Sequence, residues 1–172
     1  MDLLKRFREG DREAFTAVYR AHRAPVFRFA LHMSGDPDRA AEITQEVFVW
    51  LIHHPGDYDP ERGELGAFLL GVTRKFVLRG REKEKRFVAF DDGFDHAAPE
   101  RAPETDTGEL RRAIAALPVR YREAVVLCDL GEKSYEEASA LLGCPLGTVR
   151  SRLHRARELL GKKLKARQGC SA

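Results

Sequence analysis

Apolar residues recur at spacings of three and four along most of the chain, which is the period of an amphipathic α-helix. Alternating apolar and polar stretches of strand length, bounded by hairpin turns, do not occur in the sequence. Ahead of residue 131, this pattern predicts a first helix capped by Asp11 and a second that begins at Pro25. Further helices are predicted at 38–53, 64–85, 109–117 and 119–130. We therefore predict an all-α fold.

Two further helices are predicted from residue 134 onward, joined by a tight turn. Ser134 and Glu137 have the spacing of a capping box, which starts a helix. Gly143 supplies the left-handed residue that often ends a helix, and Pro145 suits the first turn of the next one, where its missing N–H is not needed. Two helices joined in this way are typical of a helix-turn-helix.

The second helix of this pair carries many hydrogen-bond donors. The positions that should face a core recur at helical spacing and are Val149, Leu153, Ala156 and Leu160. The other faces carry Thr148, Arg150, Ser151, Arg152, His154, Arg155 and Arg157. Arginine reads guanine edges in the major groove, while hydroxyl groups and further arginines hold phosphates. We favour DNA binding, although the pattern also fits a solvated surface helix or one that binds an acidic protein.

Charge and composition divide the chain into three parts. The net charge is only +3, but acidic residues dominate 88–110, where Arg101 is the single basic residue, and Glu158 is the only acid beyond Gly143. Aspartates, prolines and small residues replace the periodic pattern after Val88, which is typical of a flexible linker. The sequence predicts a small helical domain at 1–87, a flexible acidic linker at 88–108 and a helix-turn-helix domain at 109–172.

Several functional classes find no support in the residues. No apolar run approaches the roughly 18 residues that span a bilayer, and the first residues lack the apolar core of a secretory signal, so no membrane insertion is expected. Three widely spaced cysteines favour a reduced, cytoplasmic setting. The six histidines form no metal-ligand spacing, and neither a GxSxG motif nor a glycine-rich phosphate loop occurs. We expect no enzyme, no metal site and no cofactor.

The polar faces of the third and fourth helices are candidate binding surfaces. The third helix presents acids, an amide and one apolar residue, namely Asp38, Glu42, Gln45, Glu46 and Val49. Taken alone, this face fits a solvated helix side as well as a partner surface. The fourth helix mixes basic and aromatic residues, which suits single-stranded DNA because cations hold phosphates and rings stack on bases. Glu82 and Glu84 dilute that charge, so a solvated helix is the alternative there.

Three segments of the chain resemble the extracytoplasmic-function (ECF) class of bacterial RNA polymerase sigma factors, within the sigma-70 family. The family's core-polymerase-binding helix is similar to 41–51, AEITQEVFVWL. Its promoter −10 segment is similar to 58–75, YDPERGELGAFLLGVTRK. Its promoter −35 domain resembles 117–159, LPVRYREAVVLCDLGEKSYEEASALLGCPLGTVRSRLHRAREL. Three motifs in this order, with an acidic linker before the third, are more specific than any one of them.

The resemblance implies a sigma factor that binds core polymerase, recognises both promoter elements and helps to open the duplex. The implied partners are promoter DNA, the largest-subunit clamp and the second-largest-subunit flap of core RNA polymerase, and an anti-sigma factor that keeps the protein inactive until a signal arrives. The implied core-polymerase contacts are Asp38, Glu42, Gln45, Glu46 and Val49. The implied −10 contacts, around a pocket for one flipped base, are Asp57, Tyr58, Phe68, Arg74, Lys75 and Arg79. The implied −35 contacts are Thr148, Arg150, Ser151, Arg152, His154 and Arg155.

Three −10 positions depart from the family's usual residues. Lys75 and Arg79 stand where the family often has asparagine and an acid or amide, and Phe68 stands where tryptophan is frequent. Phosphate attraction should survive because it depends on charge, whereas the base preference is left open. The main alternative function is a helix-turn-helix repressor or activator, which would bind its operator without polymerase and usually as a dimer.

Overall fold

The computed structural model describes residues 3–90 and 106–169, and within them every regular element is helical. The elements of the first part are α1 (Leu3–Arg8), α2 (Arg12–Ser34), α3 (Pro37–His53), a 3₁₀ turn (Pro60–Arg62) and α4 (Leu65–Phe90). Those of the second part are α5 (Asp106–Ala115), α6 (Val119–Val125) with a π-helical turn (Val126–Leu130), α7 (Tyr135–Leu142) and α8 (Leu146–Gln168). The predicted all-α fold is confirmed, while 91–105 of the predicted linker lie outside the described residues.

The prediction of a new helix at Pro25 is wrong, because α2 runs through this proline without a break. Pro25 cannot donate to the carbonyl one turn earlier, which costs about 3 kcal/mol in a helix interior. The buried residues before and after it nevertheless form one stripe, since Ala14, Val18, Val26 and Ala30 are separated by multiples of four. Burying both halves of that stripe against the same neighbours outweighs the lost bond. Helix α1 was not predicted.

Predicted helix ends in the first domain are confirmed by their caps. The carboxylate of Asp11 accepts from the backbone N–H of Glu13 at 2.8 Å and of Ala14 at 3.2 Å. Asp36 does the same for α3, accepting from Asp38 at 2.9 Å. Gly35 closes α2 with a φ of 76°, which is left-handed backbone that favours glycine. Helices α2 and α3 therefore meet at a short, fixed corner.

The first core lies between α2, α3 and α4. Its largest fully buried side chains are Met33, Leu51, Leu69, Val18, Val26 and Val47. Because one stripe of α3 and one of α4 are used for this core, their remaining faces are left for other contacts.

The helix-turn-helix is confirmed in detail. The Glu137 N–H donates to the Ser134 hydroxyl at 3.1 Å, and the Ser134 N–H donates to the Glu137 carboxylate at 2.7 Å, which completes the capping box. Gly143 closes α7 with a φ of 63°. Of the four predicted core positions in α8, Val149, Leu153 and Ala156 are buried, and Leu160 is half-buried. One face of α8 is thereby fixed against the domain, and the opposite face is left to solvent.

Candidate nucleic-acid and protein interfaces

A stripe of cations and aromatic rings runs along α4. Phe68, Val72, Phe76 and Arg79 follow one another at spacings of three and four, with Lys75 beside Phe76, and so lie on one face over about 16 Å. With Trp50 of α3 and Asp57 of the following loop, they line a cleft of ≈ 450 Å³. This cleft brings four predicted −10 residues together, namely Asp57, Phe68, Lys75 and Arg79.

The rings in this cleft hold one another in place. The Phe68 ring lies 6.1 Å from that of Trp50 and 5.4 Å from that of Tyr58, between ring centroids. His54 stacks on Trp50 at 4.8 Å with an interplanar angle of 15°. Tyr58 is buried and donates its hydroxyl proton to the Gly63 carbonyl at 2.8 Å. Tyr58 therefore holds the loop in place from the protein interior, while the rings of Trp50 and Phe68 face the cleft.

The polar groups of the cleft are available to a ligand. Within the described residues, the side chains of Asp57 and Lys75 have no hydrogen bond or ion pair, and the guanidinium of Arg79 only approaches the Phe76 ring, at 6.0 Å. Cations beside exposed rings can neutralise phosphates while bases stack. The cleft thus has the groups that a single strand of DNA needs.

Arg74, the other predicted −10 cation, lies elsewhere. It is about 100° round the helix from Lys75, because each residue turns an α-helix by that angle. Its Nε donates to the Glu123 carboxylate of α6 at 2.5 Å. Arg74 therefore contacts the second domain and does not line the cleft.

The third helix presents its predicted polar face to solvent. All five predicted core-polymerase residues, Asp38, Glu42, Gln45, Glu46 and Val49, are exposed and lie on one stripe. Beside this stripe runs a groove of ≈ 480 Å³ between α2 and α3, lined in part by Phe15, Tyr19 and Phe48. Val49 and Ile52 at its edge are 46% and 49% exposed, which is high for apolar residues. The face therefore combines charge with an apolar patch, a mixture typical of a protein-binding surface.

Helix α8 presents its predicted DNA contacts outward. Arg150, Ser151, His154 and Arg155 are exposed, and Thr148 and Arg152 are half-buried. Arg155 donates to Glu158 at 3.1 Å, and this cation lowers the pKa of the Glu158 carboxyl. An exposed pair of this kind contributes little stability, so a base edge or a phosphate could displace Glu158.

Arg157 has a different role from the other arginines of α8. It donates to both oxygens of Asp129, at 3.0 and 2.6 Å, which fixes α8 to the π-helical turn. The same bonds raise the pKa of Arg157.

Two contributors to the surfaces were missed by sequence reasoning. Trp50 was not among the predicted −10 residues, and the packing of α3 on α4 places its ring beside that of Phe68. Ile52 follows Val49 by three residues, so extending the exposed stripe by one turn would have found it.

A second cleft, of ≈ 480 Å³, lies between α2 and the π-helical turn and is lined by two histidines, His22 and His32. Burial lowers the pKa of His22. Burial, and then the charges of Arg111 and Arg28, lower the pKa of His32. Its Nδ1 is buried without a hydrogen-bond partner among the described residues. The surroundings of both rings therefore favour the neutral form.

These histidines predict that stability falls as the pH drops below about 6.5. The unfolded chain, with an ordinary histidine pKa near 6.5, takes up protons before the folded one, so acidification favours unfolding until the lowered folded pKa is passed. The loss should not exceed about 1.4 kcal/mol for each unit of pKa difference. Urea unfolding between pH 7.5 and 5.5 measures this loss of stability. In that pH range the carboxyl groups with lowered pKa stay ionised and do not contribute to the change.

Replacing His32 by glutamine should flatten this pH dependence, and His53→Gln, at an exposed position, is the matched control. An unchanged slope in His32→Gln would contradict the prediction.

No helix in the described parts of the chain combines the length and the apolar character that crossing a membrane requires.

Comparison with known proteins matches both domains to one family. Residues 18–87 match the family model described as Sigma-70 region 2, and residues 107–160 match Sigma-70, region 4. The chain is 35% identical over 167 residues to the ECF RNA polymerase sigma factor SigE of Mycolicibacterium smegmatis, covering 88% of this chain and 63% of that relative, which is less than two thirds of its length. It is 32% identical over 140 residues to the ECF sigma factor EcfG of Rhodopseudomonas palustris, covering 79% of this chain and 77% of the relative.

Solved structures show the same fold. The sigma factor RpoE of Bartonella quintana, solved in complex with the anti-sigma factor NepR, matches with a TM-score of 0.75 and 26% identity over 88% of this chain and 96% of that one. CnrH, solved with the cytosolic domain of CnrY, matches with a TM-score of 0.71 at 23% identity, covering 95% of this chain and 96% of that one, which supports the fold alone. With a region 2 and a region 4 on one helical chain, and relatives above 30% identity over most of its length, this protein belongs to the ECF class of RNA polymerase sigma factors.

Proposed function

We propose that this chain is the promoter-specificity subunit of an RNA polymerase, with its three surfaces engaging three different sites. One observation carries the proposal: a single chain presents a basic recognition helix, a separate cleft of rings and free cations, and an acidic face beside an apolar patch. A dimeric repressor needs only the first of these. The proposed subunit is not an enzyme and acts in the cytoplasm, where the transcription machinery of bacteria works.

The −10 element is proposed to enter the cleft on α4. Lys75 and Arg79 would neutralise phosphates of the non-template strand, and Trp50 and Phe68 would stack on its unpaired bases. Base–aromatic stacking contributes about 1–3 kcal/mol per base, which is comparable with the few kcal/mol needed to unstack a base from the duplex. The cleft thus assists strand separation by binding the product of opening.

Core polymerase is proposed to bind the exposed face of α3. Glu42, Gln45 and Glu46 would supply charge and hydrogen bonds at the largest-subunit clamp. Val49 and Ile52 would bury the apolar part of the interface, where most binding energy usually lies. The helix-turn-helix domain would sit near the flap of the second-largest subunit.

The −35 element is proposed to receive the N-terminal half of α8 in its major groove. Arg150, Ser151, His154 and Arg155 face outward together and would contact base edges. Thr148 and Arg152, which are half-buried, would hold phosphates. Affinity should be strongly salt-dependent, because it comes mainly from neutralised phosphates.

An anti-sigma factor is proposed as the regulator of this chain. Support comes from the Bartonella quintana relative, whose structure was solved in complex with one. Release from that partner would make the surfaces of α3 and α8 available to polymerase and promoter.

Because the −35 element and core polymerase are assigned to different surfaces, we expect opposite effects for two substitutions. Arg155→Ala should weaken binding to a −35 duplex by about 5- to 150-fold, the range for a lost base contact, and leave capture of core polymerase unchanged. Glu46→Ala should weaken core capture and leave duplex binding unchanged. Fluorescence anisotropy with labelled duplex and pull-down with core polymerase measure the two affinities separately.

Exposed residues of the same charge provide the controls, namely Arg120→Ala on α6 and Glu82→Ala on α4. If Arg155→Ala impaired core capture and left −35 recognition intact, the assignment of the surfaces would be wrong. If the wild-type chain bound paired half-sites as a dimer and never directed core polymerase to a start site, the repressor alternative would replace it.

A further inference from the structure

The two domains are packed against each other through close backbone contacts. A Cβ placed on Gly35, at the end of α2, would lie only 2.9 Å from the Ala115 methyl at the end of α5. On the other side, a Cβ placed on Gly71 of α4 would meet Leu141 of α7 at 3.8 Å. At Gly35 a side chain would not fit without a shift, so glycine lets the end of α5 approach the end of α2, whereas the distance at Gly71 is that of an ordinary contact between α4 and α7.

A buried arginine joins the domains at the end of α2. Arg122 of α6 is 4% exposed and donates to the Met33 carbonyl at 2.5 Å. It also donates to the carbonyls of Ala115 and Leu117 in its own domain. One guanidinium therefore satisfies the free carbonyls at the ends of two helices, one from each domain.

A second link is the ion pair between Arg74 of α4 and Glu123 of α6. The Nε–Oε1 distance is 2.5 Å, and a second nitrogen lies 3.5 Å from the other carboxylate oxygen. Glu123 is only 3% exposed, so its charge is compensated by Arg74 alone among the described residues. Arg74 is also the one proposed −10 cation that does not reach the cleft.

This packed arrangement cannot occupy both promoter elements at once. Elements centred near −10 and −35 are about 25 base pairs apart, or ~85 Å at a rise of 3.4 Å per base pair. A compact chain of 172 residues has a radius of gyration of about 16 Å, which corresponds to a diameter near 40 Å. The domains must separate before α8 and the α4 cleft can both bind.

We propose that the Arg74–Glu123 pair and the Arg122–Met33 bond close the free chain, and that DNA opens it by exchanging the partner of Arg74. On opening, Glu123 becomes hydrated and a phosphate of the −10 strand takes its place against the guanidinium. This inference rests on the proposed function, because it assigns Arg74 to DNA only in the open state. In the closed chain, Glu123 of the second domain therefore occupies the place beside Arg74 that a DNA phosphate takes in the open chain.

The energetics favour a closure that is easily reversed. Removing Glu123 and Arg74 from water costs about as much as their attraction returns, so such a pair adds little net stability. Replacing a carboxylate by a phosphate leaves the arginine paired throughout. The exposed face of α8 is free in the closed chain, so closure should not affect binding to a −35 duplex.

The test uses the full-length chain without polymerase and the substitution Glu123→Gln, which keeps the shape of the side chain and removes its charge. Small-angle scattering should show a larger radius of gyration for this variant than for the wild-type chain. Affinity for a single-stranded −10 oligonucleotide should rise about three- to tenfold, and Arg74→Gln added to Glu123→Gln should abolish that gain. Glu136→Gln, at an exposed acid of α7, is the matched control and should change neither quantity.

Binding to a −35 duplex is the internal reference for folding of the second domain. If Glu123→Gln kept that binding but changed neither the radius of gyration nor the −10 affinity, closure through this pair would be refuted. A gain in −10 affinity that survived Arg74→Gln would also refute it. Run-off transcription by the wild-type chain with core polymerase tests the proposed function separately, since initiation can succeed whether or not the free chain is closed.

Discussion

Replacing Arg122 by methionine should lower the free energy of unfolding by about 3–5 kcal/mol, the usual cost of removing one partner from a buried charged network. Methionine fills much of the volume but donates nothing. The carbonyls of Ala115 and Leu117 would then lose this donor, and the Met33 carbonyl would keep only the longer bond from Arg81, at 3.5 Å. Each buried acceptor that loses its partner costs about 1–3 kcal/mol, so the loss is not that of a single bond.

The charge state of Arg122 supports this expectation. Burial, and then the nearby charge of Arg81, lower its pKa to about 10. That value leaves the guanidinium protonated at neutral pH, so all its N–H groups remain donors. A lysine at this position could reach fewer of the three carbonyls, because its ammonium is not a planar fork, and Arg122→Lys should lose an intermediate amount.

Urea unfolding followed by far-UV circular dichroism measures the effect. Arg120→Met is the matched control, because Arg120 lies on the same helix but is exposed, and surface substitutions usually change stability by less than about 0.5 kcal/mol. A loss below about 1 kcal/mol for Arg122→Met would mean that solvent or a neighbour satisfies these carbonyls.

Features with local causes could be predicted from the sequence. The caps at Asp11 and Asp36, the capping box at Ser134 and the left-handed Gly143 each depend on residues within three or four positions, and the structure has all of them. The order of helices and the basic face of α8 follow from the same short-range patterns.

Features that depend on distant residues could not be predicted. Pro25 looked like a helix start because its neighbours in sequence do not show that both halves of α2 pack on one surface. The partners Arg74 and Glu123 are 49 positions apart, and Arg122 and Met33 are 89 apart. Each of these arginines, read alone, looks like a solvated or DNA-binding cation.

The sequence predicted which segment forms the candidate −10 site, but not how the side chains are arranged there. Periodicity places Phe68, Lys75 and Arg79 on one face of α4, which is a local inference. Three other features depend on how α3, the loop and α6 pack around that helix. They are the position of Trp50 beside Phe68, the burial of Tyr58, and the ion pair with Glu123 that keeps Arg74 out of the cleft. The assignment of the individual side chains to DNA stays a prediction.

The substitution Leu153→Ala should separate the functions of the two domains. Leu153 is 1% exposed in the core of the helix-turn-helix, and truncating such a leucine costs about 2–5 kcal/mol through lost burial and a residual cavity. A small domain has only about 5–15 kcal/mol in total. Binding to a −35 duplex should therefore weaken sharply on warming, at a lower temperature than in the wild type.

Capture of core polymerase through α3 should persist in this variant, because α8, which carries Leu153, packs mainly on α5, α6 and α7 and not on the helices of the first domain. Duplex binding and polymerase pull-down, measured from 15 to 45 °C, give the two melting curves. Leu130→Ala is the control, since Leu130 is 38% exposed in the same domain and its truncation should shift neither curve much. If both activities were lost together in Leu153→Ala, the contacts through Arg122 and Glu123 would bind the two domains into one cooperative unit. The predicted division at 1–87 and 109–172 would then fail as a description of folding.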